Sequence, residues 1–193
     1  MNRVAVFASG NGTNAEEIFK YFEGHQSIEI EVLLCNNPKA GVIQRAENWK
    51  VPVVIFSRDD LVNSSKILEE LKSHEVDWIA LAGFLWLLPP TLVHEFPGRI
   101  INIHPSLLPK YGGKGMYGSR VHEAAIASGD KESGITIHMV DEEYDKGKII
   151  FQAHCNIAPQ DSADTLAQKI HKLEYNHYPE VIEKYILHGC EPA

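Results

Sequence analysis

Cysteine is scarce in this chain. Cys35, Cys155 and Cys190 are three among 193 residues, widely spaced and without a C-x-x-C pair. Neither a disulfide framework nor a zinc knuckle is therefore suggested, and a reducing cytoplasm is the expected compartment. Long hydrophobic runs are missing as well. The longest, Trp78 to Leu88, is broken by Gly83 and closed by Pro89, well short of the roughly 20 residues that span a bilayer. The opening MNRVAVFASG has a short apolar part leading into a glycine turn, unlike a signal peptide, so no membrane partner is expected. Positive charge is in deficit, with 18 Lys and Arg against 26 Asp and Glu and a net charge of -8. That balance argues against a dedicated nucleic-acid binder, which usually carries a basic face. The ten histidines contain no H-E-x-x-H spacing and no close Cys/His cluster, so no metal is expected. Internal repeats, low-complexity tracts and linkers are absent too.

What is present reads as one globular core. A hydrophobic content of 44% with 23% charged residues is ordinary for a soluble protein, and 193 residues bury well over half of the unfolded surface. Apolar strands are expected over Arg3–Ala8, Ile28–Cys35, VPVVIF, DWIALAG and GRIINIH. Between them lie helices over Ala15–Phe22, Val42–Trp49, Leu61–His74 and PPTLVHEF. Alternation of this kind, with strands nearly all apolar, is the pattern of a parallel sheet covered on both faces. The second half differs. VHEAAIASG reads as a helix stopped at Gly129, SGITIHMV as a strand with one polar side, and KIIFQAHCNIA as another strand. A long helix then starts from an Asp or Ser cap in DSADTL and is interrupted near Pro179. The expectation is α/β: a single doubly wound, mostly parallel sheet flanked by helices, with 1–193 one domain and the active site at the carboxyl ends of the strands.

Four stretches could carry chemistry. In GNGTN, Gly10–Asn14, glycines let backbone N–H groups approach a ligand at the positive end of the next helix. A phosphate is the natural guest, and a tight turn without a ligand is the alternative. Asn102 and His104 share one face of a strand, opposite Ile101 and Ile103. There an imidazole can move protons while an amide holds an oxyanion, although a strand-end histidine taken alone is more often structural. Pro105 and Pro109 stiffen the loop after this strand. His138 and Asp145 frame the acidic loop VDEEYDKG. A carboxylate there could bond His104 and raise its pKa, and a solvated hairpin is equally consistent with the spacing. His138 itself, among apolar neighbours, reads as a packed or supporting histidine. LAGFLWLLPP, Leu81–Pro90, could form a slot for a flat heterocycle, or simply core.

Taken together, NIHPSLLPKY, the GNGTN turn, LAGFLWLL and GITIHMVDEEYDKGKIIFQ resemble the folate-dependent phosphoribosylglycinamide formyltransferase family of purine synthesis, from Val4 to about Ile186. The resemblance implies a Rossmann-like formyltransferase fold, with a phosphoribosyl-substrate side over about 1–100 and a folate and catalytic side over about 80–193. It implies Asn102, His104 and Asp145 as catalytic, and Gly12, Thr13, Asn14, Ala15 and Glu174 around the substrate phosphate and ribose. Leu85, Trp86, Leu87, Leu88, Asn102, Val140, Asp141 and Tyr144 would form the folate pocket. The co-substrate would be 10-formyltetrahydrofolate, the partners small molecules, and the assembly a monomer or homodimer. Asp145 is expected to keep His104 protonated or nearly so. The chain departs from the family pattern in YGGKGMYGSRVHE, longer and richer in glycine, where Lys114 or Arg120 could reach an anionic group. Arg58 and Lys66 are the candidates for contacting the folate tail. Methionyl-tRNA formyltransferase and formyltetrahydrofolate deformylase share the Asn-x-His and SLLP elements. The extra tRNA-binding or regulatory domain usual in each is not expected here. A non-catalytic folate- or nucleotide-binding relative is the remaining alternative.

Overall fold

The computed structural model describes residues 1–63 and 65–189. Its seven strands, numbered in chain order, lie side by side in the order 3-2-1-4-5-6-7 in one mostly parallel sheet, the α/β architecture that the alternation of elements predicts. The chain falls into two compact units, Met1–Ile101 and Asn102–Ala193.

The first unit contains β1 (Asn2–Ala8), α1 (Thr13–Phe22), β2 (Ile28–Cys35), α2 (Gly41–Asn48), β3 (Val53–Ile55), α3 (Arg58–Asn63), α4 (Ser65–Ser73), β4 (Trp78–Leu81) and α5 (Pro90–Glu95). β1 pairs in parallel with β2 and with β4, and β2 with β3. Val4 to Ala8 are fully buried along β1, as expected for a strand covered on both faces. The strand order reverses between β1 and β4, and the loops that leave these two strands are tied together: Ser9 N–H donates to the Gly83 carbonyl at 3.2 Å and Leu85 N–H to Ser9 Oγ at 3.1 Å. Ligands bind at such a switch point in open α/β sheets. The helix expected over Leu61–His74 is two segments, 58–63 and 65–73, on either side of residue 64, which lies outside the described residues. Ser57 and Asp60 open the first of them, with Ser57 N–H donating to Asp60 Oδ2 at 2.8 Å.

β5 (Ile100–His104) begins at the boundary, and the second unit continues with α6 (Ser119–Ala127), β6 (Glu132–Met139), β7 (Ile149–Asn156) and α7 (Ala163–His188). Two expectations need amending. The polar side of SGITIHMV is kept, as Thr136 and His138, but it does not face solvent: every residue from Ser133 to Met139 is buried, because α7 packs on β6 and β7 pairs with it antiparallel. The buried polar groups are satisfied, with Thr136 Oγ1 accepting from Leu108 N–H at 2.9 Å and donating to the Ser106 carbonyl at 2.6 Å. Nor is the last helix interrupted at Pro179, which lies inside a continuous α7 of 26 residues. An internal proline costs a helix about 3 kcal/mol. Tyr178, Val181 and Ile182 around it are buried, at about 1.5–3 kcal/mol for each large apolar side chain, which outweighs the break. The helix starts from a capping box in which Ser162 and Thr165 exchange hydrogen bonds. Among the described residues no helix is long and apolar enough to cross a membrane.

Candidate active site

Three side chains of the second unit gather beside the Asp145 carboxylate. Asn102 and His104 lie two residues apart on β5; His104 neighbours the carboxylate itself, and Asn102 is linked to it through His138. His104 Nδ1 lies 3.5 Å from Asp145 Oδ2, His138 Nε2 lies 3.6 Å from Asp145 Oδ1, and Asn102 Nδ2 lies 3.1 Å from His138 Nε2. The three residues expected to be catalytic are therefore brought together, and His138 joins them as the supporting residue its apolar strand suggested.

Backbone carbonyls decide which ring nitrogens carry protons. His104 Nε2 is 2.8 Å from the Tyr111 carbonyl and His138 Nδ1 is 2.7 Å from the Met139 carbonyl. A carbonyl only accepts, so each of these nitrogens must hold a hydrogen. In its neutral form His138 therefore presents a lone pair at Nε2, which accepts from the Asn102 amide and fixes that amide's orientation. His104 likewise presents the lone pair of Nδ1 toward Asp145. One hydrogen of Asn102 Nδ2 is committed to His138; a carboxamide has a second.

The protonation expectation is overturned here. His104 is 4% exposed, and its pKa is lowered from the ordinary histidine value. Burial is the largest cause, outweighing Asp145 and the Tyr111 carbonyl, which raise it, while the positive form of His138 would lower it further. Loss of hydration disfavours the imidazolium more than one partly buried carboxylate at 3.5 Å restores it. His104 is thus a neutral imidazole at neutral pH. Asp145 loses hydration too, which would raise its pKa. The neighbouring His138 and His104 rings and the Gly113 N–H at 2.8 Å together prevail, and its carboxyl lies below the ordinary value.

Tyr111 and Asp145 both adopt left-handed backbone conformations, with φ of 55° and 56°, which costs a non-glycine residue on the order of 1 kcal/mol or more. The surrounding contacts hold them there. Tyr111 donates its hydroxyl to Asp130 Oδ2 at 2.9 Å, Lys110 Nζ pairs with Asp130 at 3.0 Å, and Ser106 Oγ donates to the Lys110 carbonyl at 2.6 Å. The Leu108–Pro109 peptide bond in this loop is cis. The Tyr111 carbonyl and the Gly113 amide are the functional groups that sequence reasoning missed. They are backbone atoms and leave no signature in residue type.

Gly147 sits tightly beside this group. A Cβ there would lie 1.8 Å from the Met139 carbonyl oxygen, the acceptor that sets the His138 tautomer. Gly147→Ala is expected to destabilise the fold by about 1–3 kcal/mol and to lower turnover by displacing that carbonyl. Urea titration beside a steady-state assay checks both effects.

The remaining predicted residues are more scattered. Glu174 is 6% exposed on α7, and so does not face solvent. Val140, Asp141 and Tyr144 are partly exposed in the loop before Asp145, where Asp141 Oδ1 accepts from Glu143 N–H at 2.9 Å. Lys114 is exposed, and Arg120 lies over the Tyr117 ring at 5.2 Å. In the first unit, Gly12, Thr13, Asn14 and Ala15 form the turn into α1, and Gly12 has φ 77°, a conformation glycine adopts without strain. The 84–88 segment divides its side chains. Phe84 and Trp86 join an aromatic cluster with Phe7 and Phe56, and Leu88 is buried, whereas Leu85 and Leu87 are 44% and 39% exposed. Arg58 lies over Trp86 at 5.7 Å, and Lys66 pairs with Asp60 at 3.2 Å. Cys190 lies outside the described residues.

His122 on α6 is a titrating group that no motif singles out. It is 4% exposed, and its Nδ1 has no hydrogen-bond partner. Its pKa is pushed down to about 4, first by burial, then by the nearby His171 and His104, against a small opposite effect of Glu123. The unfolded chain binds this proton near pH 6.5, so between about pH 6.5 and pH 4 the unfolded state holds more protons than the folded one, and stability falls as pH falls. The effect of His122 alone is on the order of 3 kcal/mol at its fullest. His122→Asn is expected to flatten the pH dependence of urea midpoints across that window, and an unchanged slope would remove His122 from this role. His104 and His171, also lowered, contribute with the same sign.

An amide, a desolvated imidazole and a carboxylate are held together near the end of a buried strand of an α/β sheet, an arrangement suited to the class of α/β group-transfer enzymes. Within it, the chain belongs to the formyl transferase family, whose model matches residues 2–182, and it is a formyl-transfer enzyme. It is 42% identical over 191 residues to phosphoribosylglycinamide formyltransferase of Bacillus subtilis, covering 96% of this chain and 95% of that one. It is 38% identical over 186 residues to the chloroplastic phosphoribosylglycinamide formyltransferase of Arabidopsis thaliana, covering 93% of this chain but 64% of the longer plant protein. A crystal structure of phosphoribosylglycinamide formyltransferase from Bacillus halodurans superposes with a TM-score of 0.89 at 36% identity, covering 98% of this chain and 97% of that one.

Proposed function

We propose that this enzyme transfers the formyl group of 10-formyltetrahydrofolate to the glycine amine of phosphoribosylglycinamide, giving formylglycinamide ribonucleotide and tetrahydrofolate for purine biosynthesis. The observation that carries the reading is the convergence of His104 and, through His138, Asn102 on the Asp145 carboxylate within the second unit, in a chain whose similar relatives bear that activity in their names. The family implies a folate-derived formyl donor.

The chemistry asks for three things: a donor aimed at developing oxyanion charge, an acceptor for one amine proton, and a return of that proton to the leaving nitrogen. The second Nδ2 hydrogen of Asn102 is the oxyanion donor, its direction set by His138. The neutral His104 takes the amine proton at Nδ1, where Asp145 steadies the imidazolium. As the carbon–nitrogen bond to the formyl carrier breaks, that proton leaves for the departing nitrogen, directly or through water. The amine gains a formyl group and loses a proton, and the carrier gains one.

Recognition is assigned from the family pattern that the sequence resembles. Gly12, Thr13, Asn14 and Ala15 at the start of α1 take the phosphate, where helix amides and dipole favour an anion. Glu174 serves the ribose or glycinamide part. The exposed Leu85 and Leu87 fit a flat apolar ring, with Trp86, Leu88, Asn102, Val140, Asp141 and Tyr144 completing folate recognition. Residues of about 1–100 thus serve the phosphoribosyl substrate, and those of about 80–193 serve folate and catalysis. The reading further places the enzyme in the cytoplasm, as a monomer or homodimer acting on small molecules without metal, nucleic acid or membrane.

One assay tests the reading. Tetrahydrofolate is to be measured after mixing enzyme and formyl donor with and without phosphoribosylglycinamide, with formate measured in parallel. Product only with the acceptor is expected. Formate release at the same rate without acceptor would instead establish a hydrolase, and binding of both ligands without turnover would establish a non-catalytic relative.

A further inference from the structure

The glycine loop before α1 is gripped by its neighbouring helix. Val42 N–H donates to the Gly10 carbonyl at 3.2 Å, and the Val42 side chain occupies the space a Cβ on Gly12 would need, 2.3 Å from its position. One turn further along α2, Arg45 donates from Nε to the Asn11 carbonyl at 2.8 Å, and its Nη1 pairs with the Glu16 carboxylate. Glu16 is the acidic residue in the first turn of α1. Its own N–H is already used, donating to the Gly12 carbonyl at 2.9 Å.

The position of Glu16 poses an electrostatic problem. A carboxylate in the first turn of a helix is attracted by the same amides and dipole that attract a phosphate, and it repels that phosphate. A guanidinium offers a planar fork of donors, so one side chain can hold a carbonyl and neutralise a carboxylate together. Arg45 is partly buried, with its side chain 27% exposed, which limits screening by salt.

We propose that Arg45 is a positioning residue for the anion-binding turn Gly10–Asn14: it fixes the Asn11 peptide, so that the turn amides stay aimed outward, and it masks the charge of Glu16 so that a dianionic phosphate is accepted. This rests on the reading that the turn takes the phosphate of phosphoribosylglycinamide. The chemistry does not pass through Arg45, so its loss acts on acceptor binding and leaves proton transfer in place.

The test is steady-state kinetics of Arg45→Ala. The acceptor KM is expected to rise by about 10-fold or more, with kcat within about 3-fold and the KM for the formyl donor unmoved. With an acceptor lacking the phosphate, wild type and variant should have equal kcat/KM, a result that general damage to the fold would not give. Adding Glu16→Gln to Arg45→Ala is expected to reverse part of the rise in acceptor KM, since it removes the carboxylate that Arg45 no longer masks. An Arg45→Ala enzyme with the wild-type acceptor KM overturns the proposal, and so does an equal loss with the dephosphorylated acceptor. No recovery in the double variant overturns the masking role. If Arg45→Ala does not fold, Arg45→Lys decides: it keeps a charge near Glu16 but has no Nε for the Asn11 carbonyl, so a raised acceptor KM is expected and a wild-type value overturns the proposal. Titration of wild type and variant with inorganic phosphate separates this inference from the functional reading. Weaker phosphate binding by the variant supports the role of Arg45 even if wild type formylates no ribonucleotide, and equal binding overturns it.

Discussion

His104→Ala is expected to lower kcat by about 100-fold or more while leaving ribonucleotide binding largely intact, the usual scale for losing an acid–base group together with its help to developing charge. The imidazole is 4% exposed and hydrogen-bonded to the Tyr111 carbonyl through Nε2. Alanine removes both the proton acceptor and the ring that fills its site, so the variant needs a companion. His104→Asn keeps polarity in the site but supplies no basic nitrogen, and it should lose turnover to a similar extent. Thermal melts of both variants separate loss of chemistry from loss of fold. The acceptor KM provides the second readout, because a proton-transfer role moves kcat and spares binding. Near-normal turnover in either variant would remove His104 from the mechanism.

Asp145→Asn should cost about as much, at least about 100-fold in kcat, for a different reason. The amide keeps the shape of the carboxylate and can still accept from the Gly113 N–H, 2.8 Å away in the native protein. It cannot stabilise an imidazolium 3.5 Å away on His104. The pH profile carries a signed prediction. Asp145 raises the pKa of His104 against the larger lowering by burial, so removing the charge lets that pKa fall further. In the proposed mechanism neutral His104 is the base, so activity is lost as pH falls through its pKa. The acid limb of the variant should therefore shift to lower pH even as the plateau drops. A limb that shifts to higher pH would show that the carboxylate does not support the imidazolium.

The histidine expectation failed for an instructive reason. A carboxylate near an imidazole raises its pKa in isolation, and the order of residues shows that partner. The order does not show how much water the fold removes, and here removal of water is the larger effect. His138 was half-legible in the same sense. Its apolar neighbours indicated burial, whereas its bond to Asn102 at 3.1 Å depends on β5 and β6 presenting the two side chains to one another. The polar side expected on β6 is buried rather than solvated because Thr136 finds Leu108, Ser106 and Gln152 as partners, all distant in sequence. Pro179 failed to end its helix because tertiary burial outweighed a local preference.

By itself the order of amino acids determined the alternation of strands and helices, the turn that opens α1 and the shared face of Asn102 and His104. Each of these arises from periodicity or from backbone freedom over a few neighbouring residues. Only the folded chain decided that His104 is neutral, which carbonyl holds its proton, and that Arg45 grips the Asn11 peptide. Desolvation and contacts between distant backbone groups arise from packing density and long-range closure, and no short stretch of chain encodes either.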